Sequence, residues 1–328
     1  MHIVRWALRA VIVGTLLLGG WFTLSAHPLT SPGVPVAIRV VPGESVSQVA
    51  RDLEKRGVLG SALAFRIDSL VFGAPVIRDG YYLIPEHASH GAIRQILSRP
   101  PNANVVTVFA GATIRQISRQ IATVKGEDFA NAWRSVALGE PVPRFTAPNS
   151  EGLLGVGAYV ISSEEKPRDL LATMRTRFLG QLRAVGLRPE DSVHGLTFYQ
   201  FLTAASIVEK EGYYPKNMPK VGRVILNRLA RGGGLQMDAT VLYYLDQDGV
   251  KVTPAMLRIP TPYNTYLYPG LTPTPICQIG AAALQAMKNP PEGKWLYFVV
   301  VDKSGTEAFA ETYAEHVRNI ELARSRGL

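Results

Sequence analysis

Val41-Pro-Gly-Glu-Ser-Val-Ser-Gln-Val-Ala-Arg-Asp-Leu53 is the stretch on which the fold turns, because it occurs twice. Phe109-Ala-Gly-Ala-Thr-Ile-Arg-Gln-Ile-Ser-Arg-Gln-Ile121 aligns with it without a gap. Each copy opens on a predicted strand, Val36–Val41 or Val105–Phe109, and passes through a glycine turn. Ser45 or Thr113 then stands where a helix N-cap is needed, since a hydroxyl there can accept from a free first-turn amide. In the first copy Val46, Val49, Ala50 and Leu53 follow at helical spacing. Two related strand–turn–helix units predict an α+β fold.

Between the copies, Gly80-Tyr-Tyr-Leu-Ile84 reads as a further strand and Ala92–Leu97 as a short helix. Residues 127–187 read as mainly helical, interrupted by the glycine-rich Glu151–Gly157. At the other end, Ala10 to Ala26 holds no charge, with Arg5 and Arg9 before it and Trp21 and Phe22 near its far end. Basic residues favour the cytoplasmic side and aromatics the interface. The expectation is an N-terminal transmembrane helix at 6–26 after a short cytoplasmic tail, 1–5, with the rest of the chain exported. A signal peptide cleaved near Ala26 is the rival, disfavoured by Leu24 where a small residue is wanted. The Pro-, Ser- and Thr-rich stretch 27–35 reads as a linker.

The net charge of +9 suits an anionic lipid surface or cell-wall polymer. No run of five basic residues and no zinc-finger or RNA-binding signature accompanies it, so nucleic acid is not an expected partner. Cys277 is the single cysteine, which excludes an intramolecular disulfide. His87 and His90, beside Glu86, read as a solvated loop, and no metal site is expected.

The chemistry points to Thr197-Phe-Tyr-Gln-Phe-Leu-Thr-Ala-Ala-Ser-Ile-Val-Glu-Lys-Glu-Gly212. Thr197 with Gln200 forms a capping-box pattern, and Gly212 fits the left-handed position past a helix end. Phe198, Phe201, Leu202, Ala205 and Val208 make one apolar stripe that contains Glu209. Glu211 falls on roughly the opposite side with Gln200, Ala204 and Ile207, so the two carboxyls do not form a pair on one face. A carboxylate in the last turn feels the negative end of the helix dipole, which raises its pKa as a general acid requires. Glu209 would need a cation, for instance Arg223 or Arg228. Spacing alone leaves both glutamates open as the acid. A second helix with Val221, Val224, Ile225 and Leu229 follows Pro215 and ends at Gly232-Gly-Gly234. Leu235-Gln-Met-Asp-Ala-Thr240 and Tyr263-Asn-Thr-Tyr266 then gather amides, hydroxyls and rings in loops, as recognition of sugar demands.

The doubled strand–helix unit resembles the LysM-like modules of cell-wall proteins. Ala205-Ser-Ile-Val-Glu-Lys-Glu211, Val224-Ile-Leu-Asn-Arg-Leu229, Leu235-Gln-Met-Asp238 with Thr240, Tyr263-Asn-Thr-Tyr266, Gly270-Leu-Thr-Pro-Thr-Pro-Ile276, Leu296-Tyr-Phe-Val299 and Glu315-His316 together resemble the endolytic murein transglycosylase family. The resemblance implies a single-pass inner-membrane enzyme with a LysM-like subdomain over 36–125 and a larger mixed α+β catalytic domain over 126–328. It implies Glu211 as the sole acid/base, cleaving between N-acetylmuramic acid and N-acetylglucosamine and leaving a 1,6-anhydro end. Gln236, Asp238, Tyr263, Asn264, Thr265 and Tyr266 are the expected cleft-lining residues, supported by Glu209, Asn227, Arg228 and Thr240. Peptidoglycan strands are the implied substrate, peptidoglycan synthases (penicillin-binding proteins) the implied partners, and no cofactor is implied. The chain departs from the family where Glu151-Gly-Leu-Leu-Gly-Val-Gly-Ala-Tyr159 lacks the Pro-Asp-Thr-Tyr word, at Thr272, and where Glu307 replaces a frequent histidine. A non-catalytic peptidoglycan-binding scaffold and an ordinary two-carboxylate hydrolase are the competing readings.

Overall fold

Both copies of the doubled word fold as their residues dictate. In the computed structural model, which describes residues 2–212 and 214–328, Ser45 caps α2 (Val46–Lys55) and Thr113 caps α5 (Ile114–Lys125). Each hydroxyl accepts from the amide three residues on, Gln48 or Gln116, whose side chain returns to the cap amide. Strands β1 (Pro35–Val40) and β3 (Ala103–Val108) precede them.

The chain divides into two units: Met1–Val105 with Val160–Glu165, and Val106–Tyr159 with Lys166–Leu328. The first repeat helix therefore belongs to unit one and the second to unit two. Unit one holds α1 (His2–Ala26), β1, α2, α3 (Ala62–Phe72), β2 (Gly80–Pro85) and α4 (His90–Ser98). β1 and β2 pair antiparallel with Ile38 opposite Tyr82, and Tyr81 pairs Ala103 of β3. Alternate strand residues Ile38, Val40, Tyr82 and Ile84 point inward to meet Val49 and Leu53 of α2, Phe65 of α3 and Ile93 and Leu97 of α4. His90 is not on a solvated loop: it opens α4, buried, with its ring edge-on to Phe65 at 5.3 Å.

The expected transmembrane helix is corrected. α1 forms, yet no helix among the described residues is long and apolar enough to cross a membrane. Arg9 interrupts the expected span 6–26, and the uncharged run left, Ala10–Ala26, rises about 26 Å at about 1.5 Å per residue, against a hydrocarbon core about 30 Å thick. It also carries Gly14, Thr15, Gly19, Gly20, Thr23 and Ser25. Its end packs on protein: Ala26 is buried and Phe22 stands edge-on to His90 at 6.5 Å. The single-pass inner-membrane placement that rested on this helix falls with it.

Unit two holds α5, α6 (Glu127–Gly139), α7 (Pro167–Ala184), α8 (Phe198–Glu211), α9 (Met218–Ala230), α10 (Asp238–Tyr244), α11 (Ala281–Lys288) and α12 (Tyr313–Ser325), with β5 (Tyr297–Val300) and β6 (Glu307–Ala310) paired antiparallel. The chain leaves unit one within β3 and returns to it briefly within β4 (Gly157–Ser162), a strand inside the segment read as helical. α8 is the centre of unit two. Phe198 and every residue from Phe201 to Val208 are buried, so the face with Ala204 and Ile207 is as dry as the expected apolar stripe. A helix that is apolar all round is an interior helix, and α9 and α11 pack against it. Burying each of Phe201, Leu202, Ile207 and Val208 contributes roughly 2 kcal/mol.

Candidate functional site

Because α8 is buried from Phe201 to Val208, it can present a side chain to solvent only near its ends. Thr197 caps its start through the expected box with Gln200. Gly212 ends it, though not in the left-handed conformation: its φ is −83°. The glycine is needed for contact, since a Cβ there would lie 2.5 Å from Met218 Cγ and 2.9 Å from Val208 O.

Glu211 is the last residue of α8, half-buried, and its Oε1 accepts from the backbone amide of Ala239 at 3.2 Å. That amide belongs to the first turn of α10, where helix N–H groups have no partner of their own. The Glu211 carboxyl is pushed up to about 7, principally by burial. The Ala239 amide opposes the rise, Asp238 adds to it, and Arg228 and Lys210 oppose it. Around it opens a cleft of about 1020 Å³, wholly within unit two. Its walls include Thr113, Arg115 and Gln116 from α5 and its cap, Glu209 and Lys210 from α8, and Asp238, Ala239 and Tyr243 from α10.

Glu209 also borders the cleft, and burial raises its carboxyl. It takes no arginine. Its Oε2 accepts from the Gly280 amide at 2.8 Å, while Arg223 is committed to the carbonyls of Pro291 and Pro290 and Arg228 to those of Leu296 and Leu235.

The loop residues divide. Asp238 is exposed on the cleft wall, and its Oδ1 accepts from the Tyr266 hydroxyl at 2.6 Å. Asn264 and Thr265 are buried and build the scaffold beneath. The Asn264 amide donates to Leu257 O and Ile259 O at 3.0 and 2.9 Å, and its Oδ1 accepts from the Tyr266 amide. Thr265 Oγ1 accepts from the Met237 amide at 3.0 Å and lies 3.0 Å from Thr240 Oγ1, which donates to Met237 O. Gln236 is exposed with φ +51°, and its amide donates to Thr265 O. Tyr263 bonds Thr274 through its hydroxyl and packs against Tyr243 and Tyr244. Asn227 donates to the carbonyls of Gly293 and Trp295. The fold thus brings Glu211, Glu209 and Asp238 to one cleft, with Tyr266 bonded to Asp238, and Asn264, Thr265 and Thr240 hold the loop that carries Tyr266.

Sequence reasoning missed one whole wall of the cleft. Arg115 and Arg119 pair with Asp246 at 3.1 and 3.0 Å, and Lys210 pairs with Asp248 at 2.9 Å. Glu151, in the glycine-rich stretch 151–157, also stands behind this wall. It is 1% exposed, and its carboxyl accepts from the Ile114 amide at 3.1 Å, from Gln278 Nε2 at 2.8 Å and from the Tyr243 hydroxyl at 3.1 Å. Burial pushes it up to about 7 against the Ile114 amide, the Tyr243 hydroxyl and Arg115.

Fold and cleft together define a class: an α+β protein whose larger unit offers a neutral-range carboxyl to an open cleft. The chain belongs to the YceG-like family, whose sequence profile matches residues 38–322. It is 28% identical to a Bacillus subtilis protein named endolytic murein transglycosylase, over 92% of this chain and 89% of that one. A Streptococcus pneumoniae protein of the same name is 24% identical, and the match spans 87% of this chain but 58% of the pneumococcal protein. A crystal structure of a yceG-like protein from Listeria monocytogenes superposes with a TM-score of 0.57 at 23% identity, covering 88% of this chain and 99% of that one, which supports the fold.

Proposed function

We propose that this chain is an endolytic peptidoglycan lytic transglycosylase with Glu211 as its acid and base. The observation that carries the reading is the state of that one carboxyl: burial lets it keep a proton to about pH 7, at the rim of a cleft large enough for several sugar rings. Family membership and the name of the Bacillus relative supply the substrate class. Glu211 protonates the oxygen leaving the anomeric carbon of N-acetylmuramic acid. The carboxylate so formed takes the proton of that sugar's 6-hydroxyl, whose oxygen closes the 1,6-anhydro ring. A nucleophile already inside the substrate lets one carboxyl serve both steps, whereas hydrolases of this type place two carboxyls across the bond. We read Glu209, whose Oε2 accepts from the Gly280 amide, as a support and not as that second group. Asp238 and Tyr266 flank the acid as glycan contacts, and the LysM-like reading of the repeats adds a second glycan-binding element. Cleavage of nascent strands would terminate their elongation beside peptidoglycan synthases.

The test is digestion of purified peptidoglycan, with the Bacillus protein as positive control and mass spectrometry of the products. Anhydromuramyl ends are expected from the wild type and none from Glu211→Gln. Reducing ends would make it a hydrolase instead, and glycan binding without any new ends would make it a scaffold.

A further inference from the structure

Two stretches, Leu296-Tyr-Phe-Val299 and Glu315-His316, have no part in the scheme above, yet they meet in space. Along β5 successive side chains point to opposite faces. Phe298 packs on the core of unit two, which turns Tyr297 to the other face, toward α12. α12 starts in a capping box: Thr312 Oγ1 accepts from the Glu315 amide at 3.3 Å, and Glu315 Oε2 accepts from the Thr312 amide at 3.2 Å. The box fixes Tyr313 at the first helical position and His316 about one turn later. The His316 ring stacks on Tyr297 with centroids 5.2 Å apart and planes at 21°, and Tyr313 stands edge-on to Tyr297 at 6.0 Å. Tyr313 is 66% exposed, so most of a large ring lies open to solvent at a fixed place.

Direct contacts join these rings to the cleft. The Arg228 guanidinium of α9 lies 5.8 Å from the centre of the Tyr297 ring. Its Nε donates to Leu296 O at 2.7 Å, and its Nη1 donates to Leu235 O, at the head of the loop that runs to Asp238. Asp238 borders the cleft and holds the Tyr266 hydroxyl. We propose that Tyr313, Tyr297 and His316 form a shelf for the glycan strand beyond the cleft, a subsite for a pyranose ring away from the bond that breaks. This rests on the reading of the chain as a protein that acts on peptidoglycan. A pyranose has an apolar face of C–H groups and a rim of hydroxyls. An exposed aromatic ring takes the face, and phenol or guanidinium groups take the rim. Arg228 bonds carbonyls through Nε and Nη1, which leaves Nη2 for a sugar oxygen. Burial, and then the charge of Arg228, lower the His316 imidazole, so the stack is neutral near pH 7 and stays apolar.

The experiment measures binding apart from cleavage. The full chain carrying Glu211→Gln is titrated with soluble, uncrosslinked glycan strands of graded length, alone and combined with Tyr313→Ala or Tyr313→Trp. On strands long enough to reach from the acid to the shelf, Tyr313→Ala should raise Kd by about 10-fold, the order of one lost ring contact. Tyr313→Trp, which keeps a flat apolar face, should restore it. The loss should shrink as the strands shorten and vanish on the shortest. A loss of equal size at every length, or no loss at all, would overturn the shelf. Tyr313→Ala should also melt with its parent, and a large fall in Tm would assign the ring to the packing of α12 and overturn the shelf as well. The products of the unmutated chain decide the other reading separately. Length-dependent binding without anhydro ends would remove the reaction and uphold the shelf. Anhydro ends with no effect of Tyr313→Ala would keep the reaction and remove the shelf.

Discussion

Glu151 and Glu211 are raised by the same cause to the same place, about 7 in each case, yet they stand in opposite surroundings. Glu151 is closed in, with Ile114, Gln278 and Tyr243 all donating to it. Glu211 has the Ala239 amide on one oxygen and a cleft beside it. A shifted carboxyl is thus not by itself a mark of chemistry. What separates the two is whether a donor or acceptor site remains for a substrate.

The largest effect should follow Glu211→Gln, which removes the proton donor and keeps the shape. Loss of a positioned acid lowers the rate by about 100-fold to 10,000-fold. Stability should move the other way. A carboxyl raised in the fold from 4.5 holds a proton that the unfolded chain releases, so folding stability falls as pH climbs through the window from about 4.5 to about 7. Glu211→Gln should therefore unfold no earlier than wild type at pH 8. A large drop in its melting temperature would assign Glu211 to the scaffold.

Glu151→Ala comes next and should show the reverse pattern. It strips an acceptor from three buried donors, a loss of about 3 kcal/mol. By the same sign, Glu151 contributes a fall in stability between about pH 4.5 and about 7. Glu151→Gln should flatten that slope in denaturant titrations. If Glu151→Ala left stability intact and abolished turnover, the contrast would collapse.

The sequence made the helices and their ends legible and left their meeting places obscure. Ser45, Thr113 and Thr197 could be read as caps because a cap is decided within three residues, and all three form the box. The cleft wall opposite Glu211 comes from the second repeat, about ninety residues earlier, and no local spacing announces that α5 faces α10. Asn264 and Thr265 were expected in the cleft because their side chains are polar. Burial shows that the same polarity serves loop carbonyls and hydroxyls. Glu209 was given an arginine by charge alone, while the structure satisfies it with the Gly280 amide. The anchor failed on its apolar run, because Arg9 and the glycines and hydroxyls after it leave an uncharged stretch at the margin of what a bilayer requires.

Asn264→Ala sharpens the middle of the comparison. Two carbonyls and one amide lose their partner, at about 2 kcal/mol. Since Asn264 carries the loop and does not reach the cleft, KM should stay near wild type while the melting temperature falls. A raised KM at unchanged stability would return Asn264 to the cleft.

The smallest effect should come from the rim. Lys210 Nζ reaches Asp248 at 2.9 Å and Gly111 O at 3.2 Å, and Gln116 reaches Asp248 at 3.1 Å, so the turn after α10 is held to α5 by polar contacts near water. Lys210 is 15% exposed in its side chain but Asp248 is 53% exposed, and a pair with one open partner contributes about 0.5 kcal/mol and weakens as salt rises. Asp248→Ala should then change stability little, and its difference from wild type should vanish near 1 M salt in equilibrium unfolding. Glu151, sealed from ions, should keep its full cost at the same salt. If instead Asp248→Ala cost as much as Glu151→Ala and ignored ionic strength, the rim would be as closed as the core. The openness that singles out Glu211 would then no longer distinguish it.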